Sequence, residues 1–99
     1  MRLEFADRRL SVRGQLAEKD LLQLKERLLA ALDERSLAEI DVRAIKTPDP
    51  YLLQLLAVGA AEASLRGQPV MVMVSEELER TAERIGLWPR LSPFAGARS

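Results

Sequence analysis

The sequence contains no cysteine and no histidine among its 99 residues. The lack of cysteine excludes disulfides, thiolate nucleophiles and metal sites with cysteine ligands. The lack of histidine removes the commonest general base and a common metal ligand. We therefore expect a protein that is not an enzyme and has no cofactor and no metal, although a site built from carboxylates alone stays open.

The chain also lacks net charge and long apolar runs. Lysine plus arginine and aspartate plus glutamate number 15 each, and the basic residues are dispersed, a pattern that does not favour nucleic-acid binding. No apolar run approaches the length that spans a membrane, and residues 1–5 carry both charges without an apolar signal core. We therefore expect a cytoplasmic protein that binds no nucleic acid and does not insert into a membrane.

Length and composition indicate one domain. With 47% apolar residues, a chain of this length can bury a single hydrophobic core. From Pro89 to Ser99 the composition changes to proline, glycine, serine and arginine with isolated apolar residues. We predict a folded domain over residues 1–88 and a flexible tail over residues 89–99.

Apolar and polar residues alternate where strands are predicted. Residues 3–5 and 10–13 alternate on either side of a polar turn, which is typical of a hairpin. Residues 39–42 also alternate. Residues 70–74 are continuously apolar, as in a parallel strand covered on both faces.

Apolar residues at helical spacing predict three helices. The first covers about residues 18–33, the second runs from Pro50 to about Arg66, and the third follows Ser75 and stops at Gly86. The apolar residues expected to widen the stripe of the first helix are Leu22 and Leu29, and those expected on the inner face of the third are Leu78, Ala82 and Ile85.

The element order is strand, strand, helix, strand, helix, strand, helix. Right-handed connections between successive parallel strands would build a small mixed β-sheet with helices packed mainly on one face. Only the first strand is antiparallel in this α/β arrangement.

The segment between the third strand and the second helix is the best candidate for a functional surface. Asp49 can cap the helix, and Pro50 suits its first position because proline has no N–H to leave unpaired. A loop held this rigidly at the end of a strand is a usual place for binding groups in α/β proteins.

Several local motifs, taken together, resemble the STAS domain, the fold of bacterial anti-sigma-factor antagonists. In order they are Gly14 before the leucine-rich first helix, Asp41-Val42 through Ile45 to Asp49, Leu53 to Leu56, Arg66-Gly67, and Ile85-Gly86-Leu87. The resemblance spans roughly residues 3–87.

The resemblance implies a regulatory protein in bacterial signalling and transcription regulation, which acts by protein–protein interaction. The implied partner is an anti-sigma factor or related kinase-type ATPase, and a homodimer is a further candidate. The implied partner-binding residues are Lys46, Thr47, Asp49, Pro50, Tyr51, Gln54, Leu55 and Val58. In family members that act as phospho-switches, a serine or threonine follows the loop aspartate. Here Pro50 and Tyr51 stand at those positions, so the resemblance implies no phospho-acceptor at the family site.

Three alternatives stay open. Some small STAS domains bind the ATPase of an ABC transporter, so the chain could be a structural accessory subunit. Asp41 and Asp49 are predicted to approach each other at a strand end, where they could bind Mg²⁺ or serve catalysis; the plainer interpretation is a helix cap and a solvated or hydrogen-bonded strand residue. Trp88, Leu91 and Phe94 could form a docking segment, although Trp88 is expected to close the core.

The second helix carries more apolar surface than one core face requires. Tyr51, Val58 and Leu65 extend apolar character beyond the inner stripe, and exposed surface of this kind often marks a protein contact. We interpret it as a surface for a partner or for self-association, with burial by a neighbouring helix and the tail as the alternative.

Overall fold

Strands and helices alternate along the chain in the computed structural model, which describes residues 1–98. The elements in chain order are β1 (Arg2–Ala6), β2 (Arg9–Gly14), α1 (Glu18–Asp33), β3 (Glu39–Ile45), α2 (Pro50–Leu65), β4 (Met71–Val74), α3 (Glu76–Arg84), α4 (Trp88–Leu91), a 3-10 turn (Ser92–Phe94) and β5 (Ala95–Arg98). The five strands form one sheet in the order β1-β2-β3-β4-β5. The β1–β2 pair is antiparallel and the other pairs are parallel, which confirms the predicted mixed sheet.

The helices cover one face of this sheet. The parallel strands follow one another across the sheet in chain order, always in the same direction. Right-handed connections between them therefore place every connecting helix on the same side of the sheet. Side chains of β3 agree: Ile40 and Val42 are buried, whereas Glu39, Asp41 and Arg43 alternate with them and remain partly exposed. The opposite face of the sheet is therefore open and polar around β3.

The turn between β1 and β2 sets the register of the first two strands. Asp7 and Arg8 both have positive φ, at 54° and 65°, the backbone twist that suits a two-residue hairpin. Leu3 is then opposite Val12. The predicted hairpin is confirmed.

Helix ends follow the expected local chemistry. Asp20 accepts a 2.7 Å hydrogen bond from the backbone N–H of Ala17, which satisfies a free donor at the start of α1. Ser75 Oγ accepts a 3.1 Å bond from the Leu78 N–H at the start of α3. Gly67 and Gly86 follow α2 and α3 with φ of +73° and +79°, where a residue with a Cβ would be strained.

Four apolar residues expected to be covered are exposed. Leu22 and Leu29 of α1 are 61% and 39% exposed, because other residues of the same helix already fill its inner stripe. Ile85 follows the last residue of α3 and is also exposed. Met71 lies on the open face of the sheet, so the expectation that both faces of β4 are covered is wrong at this residue.

The structure has regular elements after residue 88, where the sequence analysis predicted none. Leu91 of α4 is fully buried, and β5 pairs with β4 in parallel. Leu91 is a single core contact without apolar periodicity around it, so the apolar pattern did not predict α4. Ala-Gly-Ala-Arg has little preference for a strand, so the sequence did not predict β5. The flexibility of residues 89–99 stays a prediction, and Ser99 lies outside the described residues.

Candidate protein-docking surface

The loop between β3 and α2 is fixed at both of its ends. At its start, the Lys46 backbone N–H donates a 3.4 Å hydrogen bond to the Gly14 carbonyl of β2. At its end, Asp49 Oδ1 accepts from the backbone N–H groups of Tyr51 at 2.7 Å and Leu52 at 3.4 Å. Pro50 occupies the first turn of α2. The predicted cap is confirmed, and the loop is tied to the sheet and to the helix.

The loop residues are accessible at the end of the domain. Lys46, Thr47, Pro50 and Tyr51 are exposed, and Asp49 is half-buried. Tyr51 is 70% exposed, so its ring is not an ordinary half-buried aromatic against the sheet edge. The structure therefore presents this turn to solvent.

The two sides of α2 differ in burial, although large apolar residues occur on both. The residues of its inner side, all buried, are Leu52, Leu53, Leu56, Ala57, Ala60 and Ala63. On the opposite side Val58 and Leu65 are 67% and 85% exposed. We call this side the outer stripe of α2; its residues are Tyr51, Gln54, Leu55, Val58, Ala61, Glu62 and Leu65.

The structure brings the predicted partner-binding residues onto one continuous surface. Gln54 and Val58 are exposed on the outer stripe and Leu55 is half-buried there, directly after the loop residues 46–51. The prediction did not include Ala61 and Glu62. Helical spacing was the available signal for them. Tyr51, Val58 and Leu65, seven residues apart, lie on one line along the helix, and Ala61 and Glu62 fall beside that line, three or four residues from Val58 and Leu65.

Two grooves border this surface. One has a volume of ≈ 550 Å³ and lies between the starts of α1 and α2, where Leu16, Leu21 and Tyr51 contribute apolar walls and Glu18 and Asp49 contribute carboxylates. The other, of ≈ 520 Å³, lies between α2 and the segment that follows α3. Its lining includes Val58, Ala61, Leu87, Arg90 and Phe94. Phe94 of the predicted docking segment therefore borders the α2 surface, whereas Leu91 is buried in the core and Trp88 is half-buried.

Asp41 does not belong to this surface. It lies within β3, opposite Ser11 of β2 and Met73 of β4, and its carboxylate accepts 3.0 Å hydrogen bonds from Nε and Nη2 of Arg43. The side-chain hydrogen bonds from Arg43 hold the pKa of Asp41 below its ordinary value of 3.8, although partial burial opposes the shift.

Asp41 and Asp49 thus have separate partners, an arginine and a helix start, and the predicted pair of carboxylates is not formed. Among residues 1–98, no three aspartate or glutamate side chains are grouped to hold a metal ion. Within the same part of the chain, no helix is long and apolar enough to cross a membrane.

Comparison with known proteins finds a likeness in structure. The sequence matches no protein-family model and no curated protein. The structure is similar to that of the anti-sigma factor antagonist SpoIIAA in its unphosphorylated form, with a TM-score of 0.71 over 99% of this chain and 86% of that chain. The two sequences are 14% identical, so the likeness concerns the fold. The chain therefore has the STAS-like fold of SpoIIAA, as its motifs predicted.

Proposed function

We propose that this chain is a non-catalytic regulatory module that binds a protein partner through loop 46–51 and the outer stripe of α2. The proposed partner is an anti-sigma factor or a related kinase-type ATPase in the cytoplasm of a bacterium. The observation that carries the proposal is the exposure of Tyr51 and Val58, 70% and 67%, beside a loop held in place by Asp49.

The energetics of this surface favour docking. Tyrosine supplies a rigid ring with little conformational entropy to lose, which makes it a frequent anchor in interfaces. Exposed apolar side chains such as Val58 gain roughly 25 cal/mol for each Å² that a partner removes from water. Because Asp49 and Pro50 already fix the loop, little ordering free energy opposes binding.

The fold supports the regulatory assignment. SpoIIAA, which shares the fold, is described as an anti-sigma factor antagonist in an unphosphorylated form. In this chain Pro50 and Tyr51 occupy the positions at which the resembling family carries hydroxyl residues for phosphorylation. Neither residue accepts a phosphate from a serine/threonine kinase, so we propose that the chain binds constitutively or is controlled in another way.

The other nearby hydroxyl residues differ in availability. Ser75 is half-buried, its Oγ caps α3, and the first turn of that helix carries Glu76, Glu77 and Glu79, so a phosphate there would meet like charges. Thr47 is exposed within the loop. The chain is incubated with the captured ATPase and ATP, and mass spectrometry then tests for a phosphate on Thr47. A phosphate there would mean that binding is controlled by a phospho-switch at Thr47 and is not constitutive.

The test is capture of ATPases from a native lysate by the immobilised chain, with three variants in parallel. Val58→Arg places a charge on the outer stripe, and Tyr51→Ala removes the anchor. Leu22→Arg is the matched control, because Leu22 is a similarly exposed (61%) apolar residue on a different helix. We expect the wild type and Leu22→Arg to retain the same kinase-type ATPase, and Val58→Arg to bind it at least about tenfold more weakly.

The identity of the captured ATPase decides the assignment. A soluble kinase-type ATPase that binds competitively with a sigma factor supports the regulatory proposal. A membrane-transporter ATPase would keep the docking surface and overturn the signalling role in favour of the accessory-subunit alternative. Equal loss of binding in Leu22→Arg and Val58→Arg, with melting temperatures unchanged, would contradict the surface itself.

A further inference from the structure

The groove between α2 and the segment that follows α3 has the size of a small-molecule site. Its volume of ≈ 520 Å³ falls within the roughly 300–1,000 Å³ that is usual for ligand pockets in proteins. One wall is a face of α2 at helical spacing, formed by Gln54, Ala57, Val58 and Ala61. The other wall belongs to residues 87–94. We call this cavity the α2–α4 groove.

Small residues of α2 leave the space that the groove occupies. Ala57 and Ala61 line it together with the larger Leu87 and Phe94. Because an alanine side chain ends at Cβ, the helix fills little of the volume between the two walls. The interior is apolar, so a ligand with an apolar body gains free energy when it displaces water from it.

The second wall is in place before any ligand arrives. Leu91 is fully buried and anchors α4 in the core, and the Leu87 N–H donates a 2.9 Å hydrogen bond to the Ala82 carbonyl. Pro89 and Pro93 lie in the first turns of α4 and of the 3-10 turn, where their rings fix φ. A wall that is already ordered loses little conformational entropy on binding.

Arg90 is the only ionised side chain among the residues that line the groove. It is exposed, and none of the ion pairs within residues 1–98 involves it. Its guanidinium can pair with a carboxylate through two parallel N–H donors. The groove thus matches an apolar body with one negative charge. A nucleotide would set several charges and sugar hydroxyls against a lining with one cation and the single amide of Gln54.

We infer that the α2–α4 groove is a binding site for a medium-chain fatty-acid anion. The alkyl chain lies against Ala57 and Ala61, and the carboxylate pairs with Arg90 at the mouth. The length of the groove supports a medium chain, because the seven residues from Gln54 to Ala61 span about 10 Å along the helix axis.

The inference goes beyond the proposed function and supplies a means of control for it. Val58 lines the groove and also belongs to the outer stripe of α2. A bound acid would therefore change the surface on which the partner docks, without any phospho-acceptor. This consequence rests on the proposed function. Binding of the acid does not, and it is measured on the purified chain alone.

The test uses octanoate, far below the concentration at which it forms micelles, and octanol, which has the same chain without the charge. Calorimetry measures affinity and stoichiometry. Trp88 is the sole tryptophan of the chain and directly precedes Pro89 of the groove wall, so its fluorescence gives a second, local readout.

Three variants accompany the wild type, each checked for an unchanged melting temperature. Arg90→Gln removes the cation. Ala61→Phe fills the groove from an exposed residue of α2, so the larger side chain does not enter the core. Arg84→Gln is the matched control, because Arg84 is an exposed arginine of α3 that does not line the groove.

We expect one octanoate to bind per chain, in a saturable manner and with a change in Trp88 fluorescence. Ala61→Phe should weaken binding at least about tenfold, since the phenyl ring takes the place of the alkyl chain. Arg90→Gln should weaken it about three- to fivefold, the effect of one exposed ion pair, and Arg84→Gln should leave it unchanged. Octanol should bind equally to the wild type and to Arg90→Gln, because it carries no charge for Arg90 to pair with.

Four results would overturn the inference. The absence of saturable octanoate binding would remove the site. Equal weakening by Arg84→Gln and Arg90→Gln would indicate a general effect of surface charge, and unchanged binding in Ala61→Phe would place the acid elsewhere. Binding of AMP that is tighter than that of octanoate and is lost in Ala61→Phe would make the groove a nucleotide site.

The link to the proposed function is measured separately. Octanoate is added during capture of the ATPase by the wild type and by Ala61→Phe. Release of the ATPase from the wild type alone would support control through the groove. Octanoate binding with no effect on capture would retain the fatty-acid site and remove only its regulatory consequence.

Discussion

The carboxylate of Asp49 and the backbone N–H of Tyr51 are joined by a 2.7 Å hydrogen bond. The residue that closes the loop is thereby tied to the second residue of α2. Asp49→Ala removes this acceptor, and we expect the free energy of unfolding to fall by about 0.5–2 kcal/mol in urea titrations. Asp49→Asn keeps an acceptor and should lose much less. Equal stability of the alanine and wild-type proteins would show that the cap contributes nothing.

The ion pair of Asp41 and Arg43 predicts a pH-dependent stability. The pKa of Asp41 is lowered in the folded state, chiefly by hydrogen bonds from Arg43. A lowered pKa contributes stability above the ordinary, unfolded-state value of 3.8, and the contribution is lost as pH falls through the folded-state pKa. We therefore expect wild type to exceed Asp41→Asn by up to about 1 kcal/mol near pH 7, and the difference to shrink below about pH 4.

Urea titrations of both proteins between neutral and acid pH measure this difference. The control is Arg43→Gln, which removes the guanidinium that donates both side-chain hydrogen bonds and carries the charge. In that background the effect of Asp41→Asn should be small at every pH. A difference that grows as the pH falls would have the wrong sign for this ion pair.

Gly59→Ala should stabilise the protein. Gly59 lies inside α2, and a Cβ at this residue would be 3.7 Å from Cδ1 of Leu28, an ordinary contact distance. Alanine also favours a helix interior over glycine by about 1 kcal/mol. We expect the midpoint of urea unfolding to rise with an unchanged m-value. Gly67→Ala, where φ is +73°, is the control and should destabilise.

The C-terminal segment should contribute to the stability of the core. Leu91 is fully buried whereas Leu65 is 85% exposed, so the same substitution has different consequences at the two residues. We expect Leu91→Ala to lower the free energy of unfolding by about 2–5 kcal/mol, and Leu65→Ala to change it by less than about 0.5 kcal/mol. Thermal melting of both variants, and of a chain that ends at residue 88, measures the contribution of the C-terminal segment to stability. An unchanged melting temperature for the shortened chain would instead support the predicted domain boundary at residue 88.

Residues with local conformational preferences made much of the fold predictable. Asp49-Pro50 marked the start of α2, and Gly67 and Gly86 marked the ends of α2 and α3 because their φ angles are positive. These signals depend on neighbours in sequence only. β5 gave no such signal, because Ala-Gly-Ala-Arg has little preference for a strand and its pairing is with β4, which is distant in sequence.

The candidate site was predictable as a loop and a helix, but not as two differently covered helix faces. Leucine and valine occur on both sides of α2, so composition alone could not tell that Leu52 is buried and Val58 exposed. For Asp41 the plainer interpretation, a solvated or hydrogen-bonded strand residue, agrees with the structure, because Arg43 lies two residues along the same strand face and donates to its carboxylate.

The contact between Met71 and Gly96 gives the molecule a defined chemical weak point. Met71 is 47% exposed, Met73 of the same strand is 7% exposed, and the Met71 side chain lies against Gly96, where no Cβ would fit. In a cysteine-free chain, peroxide acts on methionine sulfur, and Met71 should become a sulfoxide well before Met73. The bulkier, polar sulfoxide would then press on the seam between β4 and β5, so oxidative damage would begin by loosening the last strand.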